Sequence, residues 1–455
     1  MGSETESARR LLTGWGRTAP SAAEVIRPAT TEALVSALSR RPARGVIARG
    51  LGRSYGDVAQ NGGGTVLDMT GLDAIHAFDP DQGTITVAAG CSLAALLDRV
   101  VAAGWFLPVT PGTRFVTVGG AIACDVHGKN HHRDGSFGEH VTALTLLTAS
   151  GDMLDLTPEG TPDEFWATVG GLGLTGIVIS ATIQLLRVDS SAIRVDTERT
   201  ADLAETFAKL RASDDTYRYS VAWLDCAAAG RLGRGIAIQG DHATRDEVDS
   251  VPPVPGLKPR ISSPRWLSLA PILRSPAISI LNEVHFRRAR TAAGQIEAIE
   301  PFFYPLDAVG DWNRMYGRGG FLQYQFVVPL DREDVVHTAL ELLHRERIRS
   351  TLAVLKRFGP GSRAPLSFPM LGWTLALDIA LPAPRAARVL AAIDEHVAES
   401  GGRVYLAKDS RLRQELVDVM NPRLPEWNTV RRRLDPDGVF QQDLARRLGL
   451  TGASP

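Results

Sequence analysis

The sequence predicts an α+β protein built from two domains. Between about residues 25 and 183, short β-branched segments alternate with amphipathic helical segments, a pattern typical of mixed α and β structure. Between about residues 194 and 402 the strand segments lengthen and are interleaved with helices, which predicts a second domain dominated by a sheet. Glycine-rich clusters occur in the first half, and they indicate a backbone that a bound group approaches closely.

Capping residues and apolar spacing predict the elements of the first half. Thr31 is the expected N-cap of a helix over residues 31–38, and Ser92 is that of a helix over 92–103 whose leucines and valine share one face. The other predicted elements of this half are a helix over 163–169 and strands over 46–48, 65–69, 84–88, 142–148 and 176–186.

In the second half the longer strands and one unusual loop stand out. The predicted elements are strands over 217–225, 321–328 and 373–381 and helices over 332–345 and 383–399. Residues 251–276 are rich in proline and carry apolar side chains among lysines and arginines. This composition predicts a mobile loop that touches a membrane surface or a lipid-bearing substrate. The alternative is a solvated proline-rich loop packed on the domain.

The first glycine cluster is RGLGRSYGD at residues 49–57, directly after the apolar strand 46–48. Successive amide groups in such a turn form a concave anion site, which suits a diphosphate. A Rossmann fingerprint would require G-x-G-x-x-G opening a helix, whereas this loop continues into the strand at 65–69. We therefore expect a strand–loop–strand cradle for a dinucleotide, with ordinary turn glycines as the alternative.

The second glycine cluster is PGTRFVTVGGAIACDVHGKNHH at residues 111–132. It combines four glycines and three histidines with an apolar stretch that is interpreted as a buried strand. Because glycine weakens regular structure, this density indicates close contact with a bound cofactor. A third glycine-rich loop lies at residues 170–176.

Composition excludes several classes of protein. With 50 basic and 51 acidic residues and a net charge of −1, the chain has no overall field that attracts nucleic acid, so no nucleic-acid partner is expected. Cys91, Cys124 and Cys226 are too few and too scattered for a disulfide framework or a zinc site, and we expect reduced cysteines and no metal. The absence of an apolar N-terminal segment and of a long apolar run predicts no signal peptide and no transmembrane span, hence a cytoplasmic location.

The motifs together carry a family resemblance. The runs RGLGRSYGD, PGTR, TVGGAIACDVHGKNHH, FWATVGG and GLTGI are followed by FLQYQF, FGPG, APLSFP, GW and AKDSR. In this order they resemble the decaprenylphosphoryl-β-D-ribose 2′-oxidase family, flavoproteins of the vanillyl-alcohol-oxidase (PCMH) type. The resemblance covers essentially the whole chain. It implies an FAD-binding domain at 1–190 completed by 406–455, and a substrate domain with an antiparallel sheet at 191–405.

The resemblance also implies a reaction and partners. The family oxidises the ribose 2′-hydroxyl of a polyprenyl-phosphate sugar to a ketone, and an NAD(P)H-dependent reductase completes epimerisation to the arabinose donor for cell-wall arabinan. The substrate is a lipid-linked sugar phosphate, which implies peripheral contact with a membrane, on the periplasmic side or the cytoplasmic one. The alternatives are an oxidase of another sugar, aldonolactone or nucleoside, or a flavin-binding protein without catalysis.

The FAD contacts carried over by the resemblance centre on the glycine clusters. Flavoproteins of this kind often bind flavin covalently through a Gly-His-Ser turn, whereas this chain has Gly52-Arg53-Ser54, so FAD is expected to be non-covalent. The implied cofactor-binding residues are Ala48, Arg49, Gly50, Leu51, Gly52, Arg53, Ser54, Tyr55, Gly56, Asp57, Val58, Gly112, Thr117, Val118, Gly119, Gly120, Cys124, Asp125, Val126, His127, Val178 and Tyr405.

Alcohol oxidation passes a hydride to the flavin while a base takes the hydroxyl proton. His127, which titrates near neutrality when unperturbed, and Lys408 are alternative bases, and the remaining catalytic candidates are Tyr55, Gln325 and Lys356. The substrate pocket is expected to include Trp223, Phe303, Leu306, Gln323, Val354, Thr374 and Ala376.

Strand alternation is taken to place Gln323 and Gln325 on opposite faces, so that only Gln325 sees substrate, although the resemblance places both near the site.

Three positions depart from the family pattern. The family has a cysteine in Gly-Trp-x-x-Cys, which covalent nitroaromatic inhibitors attack, and this chain has Ala376 there. Alanine carries no nucleophile, so such compounds are expected to bind reversibly, while hydride transfer needs no thiol. Phe303 replaces the family tyrosine and Tyr304 the following histidine, which bears on substrate identity and not on the reaction type.

Overall fold

The computed structural model describes residues 6–40, 42–226, 232–250, 261–262, 269–274 and 277–451. The strands of the first half are β1 (Glu6–Leu12), β2 (Ser21–Arg27), β3 (Val46–Arg49), β4 (Thr65–Asp68), β5 (Ile75–Asp79), β6 (Thr84–Ala88), β7 (Trp105–Phe106), β8 (Val141–Leu147), β9 (Met153–Leu156), β10 (Ile177–Gln184) and β11 (Leu186–Arg187). Its helices are α1 (Thr31–Ser39), α2 (Leu93–Val100), α3 (Val118–Ala123), α4 (His131–Asp134) and α5 (Pro162–Thr168).

The second half opens with a long strand and ends in helices. Its strands are β12 (Ala192–Thr200), β13 (Tyr219–Leu224), β14 (Gly235–His242), β15 (Ile261–Ser262), β16 (Ala292–Ala298), β17 (Val309–Gly310), β18 (Phe321–Val328), β19 (Leu352–Phe358), β20 (Gly372–Ala380) and β21 (Arg403–Val404). Its helices are α6 (Leu203–Ser213), α7 (Arg245–Asp249), α8 (Ala270–Arg274), α9 (Ala277–Arg288), α10 (Ile299–Phe303), α11 (Glu333–Arg345), α12 (Ala386–Glu399), α13 (Val417–Met420), α14 (Leu424–Leu434) and α15 (Asp443–Leu448).

The described strands pair into three main sheets. The first sheet has the order β1-β2-β4-β3, with β4 parallel to both of its neighbours. The second, β5-β6-β10-β8-β9, and the third, β16-β12-β14-β13-β19-β20-β18-β21, are antiparallel throughout. Helices and largely antiparallel sheets together make an α+β fold, as the sequence predicts.

Most predicted elements lie within a few residues of the observed ones, and two details are wrong. The N-cap of α1 is Thr30, whose Oγ1 accepts a hydrogen bond from the Ala33 amide at 3.2 Å. The apolar stretch interpreted as a strand within residues 111–132 is the helix α3. Its cap Thr117 supplies an acceptor to the first turn, and this side-chain cap permits a helix despite two glycines.

The loop predicted at 251–276 lies mostly outside the described residues. Of this stretch the structure describes β15, which pairs with β17 in parallel, and the helix α8 with Leu269 before it. Within the described ranges, no helix is long and apolar enough to cross a membrane.

The end of the chain packs against the loop that follows β3. Arg447 of α15 donates to the Asp57 carboxylate at 2.8 Å and lies 2.9 Å from the carboxylate of Asp409. Arg446 donates to Asn61 Oδ1 at 2.7 Å. The contacts with Asp57 and Asn61 join residues nearly 400 positions apart, so α15 holds the loop at the carboxyl edge of the first sheet.

Candidate active site

A cavity of about 810 Å³ lies where the glycine clusters of the first half face the third sheet. Its size is in the range of small-molecule and cofactor sites. The predicted cofactor residues that line it are Ala48, Arg49, Gly50, Leu51, Gly52, Arg53, Ser54, Tyr55, Val58, Gly112, Thr117, Gly119, Gly120, Cys124, Val126, His127, Val178 and Tyr405. One continuous cavity therefore contains both glycine clusters.

The loop after β3 provides polar groups to this cavity. The amides of Leu51, Gly52 and Ser54 donate no hydrogen bond to any other described protein group, and all three residues line the cavity. Gly52 has φ +64°, a conformation that favours glycine. Above the loop, the Arg53 guanidinium stacks 3.8 Å from the Trp15 ring centroid. Unpaired amides beside arginines are the groups expected for a diphosphate.

The amides at the start of α3 are already paired within the protein. The Val118 amide donates to Cys91 O at 2.9 Å, that of Gly119 to Ala89 O at 2.8 Å and that of Gly120 to Thr117 Oγ1 at 3.2 Å. These three amides are therefore not free to bind a diphosphate, whereas those of Leu51, Gly52 and Ser54 are. Gly119 and Gly120 line the cavity and have no side chain, so they leave space there for a bound group.

Four predicted cofactor residues do not line the cavity: Gly56, Asp57, Val118 and Asp125. Asp57 is held by Arg447, and Val118 is fully buried in the core. A Cβ on Gly56 would overlap the carbonyl oxygen of Asp409, so this glycine allows the segment carrying Lys408 to pack on the loop.

Asp125 is buried behind the cavity-lining residues Cys124 and Val126. Its buried carboxylate accepts hydrogen bonds from Ser136 Oγ at 2.7 Å, the Gly138 amide at 2.9 Å and Ser367 Oγ at 2.5 Å. These partners come from both halves of the chain, and the carboxylate joins them beside the cavity.

A chain of hydrogen bonds fixes the orientation of Gln325. Thr374 Oγ1 donates to the Phe326 carbonyl at 2.8 Å, so it must accept from Gln325 Nε2 at 2.9 Å. The same amide nitrogen lies 3.1 Å from His127 Nε2. The carbonyl Oε1 of Gln325 is buried and has no partner among the described residues, which leaves an acceptor for a bound hydroxyl or N–H group.

Thr374 therefore acts through Gln325. It is predicted as a pocket residue, but it does not line the cavity and is 1% exposed. Alternation along β20 puts Thr374 on the same face as Ala376 and Asp378, which line the cavity. The Thr374 hydroxyl is instead bonded to the Phe326 carbonyl and to Gln325, and it is Gln325 that lines the cavity.

His127 is not the neutral-pH base that its residue type suggests. Desolvation and the nearby charges of Lys356 and Lys408 hold its pKa well below the usual histidine value. Because Gln325 Nε2 can only donate, the His127 Nε2 atom accepts, and the proton of the neutral ring is on Nδ1. Nδ1 makes no hydrogen bond of normal geometry with a described group, although the Gly128 backbone interacts with the ring, so His127 can offer this N–H group to a ligand.

Two lysines that line the cavity, Lys356 and Lys408, have pKa values below the ordinary lysine value. Desolvation lowers the pKa of Lys356 to about 8, and it lowers that of Lys408, with repulsion by Lys356 adding to the effect and Asp378 opposing it. Lys408 Nζ lies 5.6 Å from the Tyr55 ring centroid and 5.9 Å from that of Tyr405. A lysine held in this way is able to lose its proton near neutral pH and to serve as a base.

Gln323 and Gln325 both line the cavity, so the prediction that they occupy opposite faces is wrong. Residues two apart along β18 share a face, because the side-chain period of a strand is two. Gln323 Nε2 donates to Asp378 Oδ1 at 2.6 Å. Desolvation raises the pKa of Asp378, and Gln323 and Lys408 counteract the rise.

Sequence reasoning missed three charged groups of the site, Asp378, Lys129 and Glu297. Desolvation and Lys356 lower the pKa of Lys129 to about 7, and its Nζ lies 4.1 Å from the Phe302 ring centroid while donating to the carbonyl of that residue. Lys129 sits inside the histidine-rich motif, so its position two residues after His127 was the available signal. For Asp378 the signal was its spacing of two from Ala376.

The predicted substrate residues on the third sheet and near α10 line the cavity: Trp223, Phe303, Leu306, Gln323, Val354 and Ala376. Phe303 packs against Tyr219 with ring centroids 4.8 Å apart, and the Tyr304 hydroxyl is 2.7 Å from Thr110 Oγ1. Trp223 meets His285 at 4.8 Å. This end of the cavity is therefore largely aromatic and apolar.

The cysteines are free. Cys91 and Cys226 are buried away from the site, and Cys124 lines the cavity. Its Sγ lies 3.9 Å from Ser54 Oγ, and desolvation raises its thiol pKa to about 11. The thiol is thus protonated and a weak nucleophile.

The glycine cradle, the unpaired amides and the cavity that reaches the third sheet define a flavoprotein with a PCMH-type FAD-binding domain. The FAD binding domain family matches residues 22–157. The chain is 44% identical over 98% of its length, and 99% of the relative, to decaprenylphosphoryl-beta-D-ribose oxidase of Mycolicibacterium smegmatis. It is an FAD-dependent oxidoreductase and belongs to the decaprenylphosphoryl-β-D-ribose oxidase family.

Two further relatives are similar to most of this chain at lower sequence identity. An uncharacterized protein in the mprA 5′ region of Streptomyces coelicolor is 39% identical over 79% of this chain and 100% of the relative. L-gulono-1,4-lactone dehydrogenase of Mycobacterium tuberculosis is 24% identical over 94% of this chain and 96% of the relative.

Proposed function

We propose that the chain oxidises the 2′-hydroxyl of a polyprenyl-phosphoryl-β-D-ribose to the 2-keto sugar. The observation that carries this is the 44% identity, over 98% of the chain, to an enzyme named for that substrate. The lining of the cavity supports this function. Lys408 is a candidate base, Gln325 offers an acceptor for a hydroxyl group, and the apolar end of the cavity suits a lipid-linked sugar.

Residues of this chain have distinct roles in the proposed reaction. FAD, when bound, supplies a hydride acceptor. Lys408 takes the hydroxyl proton, since desolvation favours its neutral form. Gln325 Oε1 accepts a hydrogen bond that orients the bound polar group, and the Nδ1–H group of His127 donates one.

The charge of the lining suits an anionic substrate. Lys129, Lys356 and Lys408 line the cavity near the third sheet, facing the carboxyl groups of Glu297 and Asp378. In the proposed complex the phosphate lies beside Lys129 and Lys356, where it favours their charged forms and is held by them. Lys408 lies at the sugar hydroxyl instead and keeps the neutral form that serves as the base.

FAD is held without a covalent bond in this proposal. Arg53 occupies the turn where other flavoproteins place a linking histidine, and it stacks on Trp15. Cys124 lines the cavity with a protonated thiol. Flavin released by acid denaturation and recovered entirely in the supernatant supports this; flavin fluorescence retained on the denatured chain contradicts it.

The product also implies a partner. A 2-keto sugar on a lipid carrier becomes the arabinose epimer only by stereospecific reduction, so we propose an NAD(P)H-dependent 2-keto-sugar reductase as the consuming enzyme. The lipid carrier places the enzyme at a membrane as a peripheral protein, consistent with the lack of a spanning helix among the described residues.

The deciding experiment is an anaerobic titration of the holoenzyme with farnesylphosphoryl ribose. Bleaching of the flavin absorbance by this sugar, with Lys408→Met showing slow or no bleaching, supports the proposal. Bleaching by L-gulono-1,4-lactone and not by the lipid-linked ribose favours a lactone substrate, which the likeness to the lactone dehydrogenase suggests. Bleaching by neither indicates a flavin-binding protein with another role.

A further inference from the structure

The helix α9 (Ala277–Arg288) presents an apolar face to solvent. Ile280 is 67% exposed, Leu281 51% and Val284 41%. Residues at positions i, i+1 and i+4 lie on one side of a helix, so the three aliphatic side chains form one surface, which we call the α9 face. Adjacent exposed aliphatic side chains of this kind mark interaction surfaces more often than isolated ones.

The opposite side of α9 is firmly anchored. Ile278 and Asn282 are buried, and Asn282 Nδ2 donates to Asp225 Oδ1 at 2.9 Å. Arg234 joins the Glu283 and Asp225 carboxylates at 2.5 and 2.7 Å. The outward direction of the α9 face is therefore fixed by a buried polar network on the third sheet.

The α9 face is continuous with the mouth of the cavity. Leu281 belongs to the α9 face and also lines the cavity, together with Ile278 on the inner side. Leu306, which is 39% exposed, lines the cavity as well. The mouth therefore has an apolar rim, and one part of that rim is the α9 face.

Cationic side chains follow the apolar residues along the helix. Arg287 and Arg288 occupy the last turn of α9 and are exposed. An aliphatic surface beside arginines complements an anionic lipid surface, where apolar side chains enter the acyl boundary and cations meet head groups. The aliphatic character and the absence of hydrogen-bonding groups at these three positions fit lipid better than a second protein.

We propose that the α9 face docks on an anionic lipid bilayer, which places the mouth of the cavity at the bilayer surface. A lipid-linked substrate then passes from the membrane into the cavity along Leu281 without exposing its chain to water. The delivery role rests on the proposed function, whereas docking itself does not.

Vesicle flotation of the flavin-loaded protein tests this proposal. The probe is vesicles of equal parts phosphatidylcholine and phosphatidylglycerol, with pure phosphatidylcholine vesicles as comparison. The test variant is Ile280→Glu with Val284→Glu, two residues that do not line the cavity. The matched control is Leu11→Glu with Val419→Glu, which changes two aliphatic residues that are 70% and 60% exposed elsewhere.

The wild type and the control are expected to float with the anionic vesicles, and the test variant to bind at least about tenfold more weakly. Unchanged flavin absorbance and melting temperature confirm folding. Arg288→Glu gives a second, milder loss together with a weaker salt dependence. Activity on farnesylphosphoryl ribose in detergent-free buffer should be equal in all variants.

Equal flotation of the test variant and the wild type overturns the proposal, as does a wild type that does not float. A wild-type dimer that the test variant converts to a monomer, without vesicle binding, makes the α9 face a protein interface. If the anionic vesicles bind through the α9 face but farnesylphosphoryl ribose leaves the flavin oxidised, docking stands and the proposed substrate fails.

Discussion

Gln325 Nε2 lies 3.1 Å from His127 Nε2, and this contact determines what each side chain offers to a ligand. The amide donates, so the ring nitrogen accepts and its lone pair is used within the protein. With its pKa well below the usual range, His127 is a neutral hydrogen-bond donor and not a proton acceptor. This leaves Lys408 as the base for the proposed chemistry.

The orientation of Gln325 should depend on Thr374. Thr374→Val removes the acceptor for the Gln325 amide, and the free amide is expected to rotate. We expect kcat to fall about tenfold, since a buried polar group loses its partner at a cost of about 1–3 kcal/mol. Thr374→Ser keeps the hydroxyl and should retain most activity. Steady-state kinetics with equal flavin content in both variants measure this, and equal loss in the two would indicate a packing effect.

Loss of Lys408 should remove proton abstraction while FAD stays bound. Lys408→Met is expected to lower kcat by about 10²- to 10⁴-fold, the usual contribution of a general base. In the wild type, kcat should rise with pH as the lysine loses its proton, with the midpoint below the usual lysine pKa because desolvation lowers it.

This rise of kcat with pH should be absent from Lys408→Met, whose side chain does not titrate. It should also be absent from Lys408→Arg, because the guanidinium does not lose its proton. A pH–rate profile of each variant decides the matter. A rise of kcat with pH that persists in both variants would assign the base to another group.

Lys356 should reduce the stability of the flavin-free protein at neutral pH. Its folded pKa of about 8 lies below the ordinary lysine value of 10.5, so the unfolded chain binds the extra proton between these values and stability rises with pH across them. Lys356→Met is expected to stabilise the flavin-free protein by up to about 3 kcal/mol below pH ~8, a gain that disappears toward pH ~10.5.

Urea unfolding at several pH values measures the Lys356 effect, with Lys209→Met on the surface of α6 as the control. The same Lys356→Met protein should bind a phosphorylated substrate more weakly. A gain in stability that is independent of pH would contradict the electrostatic explanation.

Ala376 should prevent covalent capture by reduced nitroaromatic compounds. The family cysteine is absent, and the cavity thiol of Cys124 is protonated because its pKa is raised to about 11. Intact mass after turnover with such a compound should show no adduct on the wild type and one adduct on Ala376→Cys. A stable adduct on the wild type that Cys124→Ser abolishes would reverse this conclusion.

Gly56 and Gly112 should respond differently to a methyl group. In Gly56→Ala the new Cβ overlaps the Asp409 carbonyl, whereas nothing in the protein lies within 4 Å of a Cβ on Gly112. Gly56→Ala is therefore expected to lower the melting temperature of the flavin-free protein by several degrees, by a strain of about 1–3 kcal/mol. Gly112→Ala should leave it unchanged. Differential scanning fluorimetry of the two flavin-free proteins measures this; equal shifts would contradict it.

Local sequence rules predicted the elements whose ends carry caps or steady periodicity. Ser92 caps α2 as its position suggests, accepting from the Ala95 amide at 3.1 Å. The segment that forms α3 was wrongly predicted as a strand. Val118 and Ile122 favour a strand, whereas the helix depends on the Thr117 cap and on packing. Propensity alone does not contain that tertiary contribution.

The site was predictable where its residues share one motif and less so where they come from different strands. The glycines of the loop after β3 predicted a diphosphate site, and the family resemblance identified the dinucleotide as FAD. The hydrogen bond from Gln325 to His127 joins residues 198 positions apart, and only the pairing of β18 with β20 shows that Thr374 lies behind Gln325. The desolvation that lowers the lysine pKa values likewise belongs to the assembled cavity.

The contact of Arg447 with Asp57 bears on how this enzyme is made. The loop that receives the cofactor lies 390 positions before the arginine that secures it, so translation makes the loop long before its support. A fragment that stops short of α15 therefore lacks part of the support for its flavin cradle. Acquisition of colour should accordingly require synthesis of α15, and a chain cut before Asp443 should lose flavin readily.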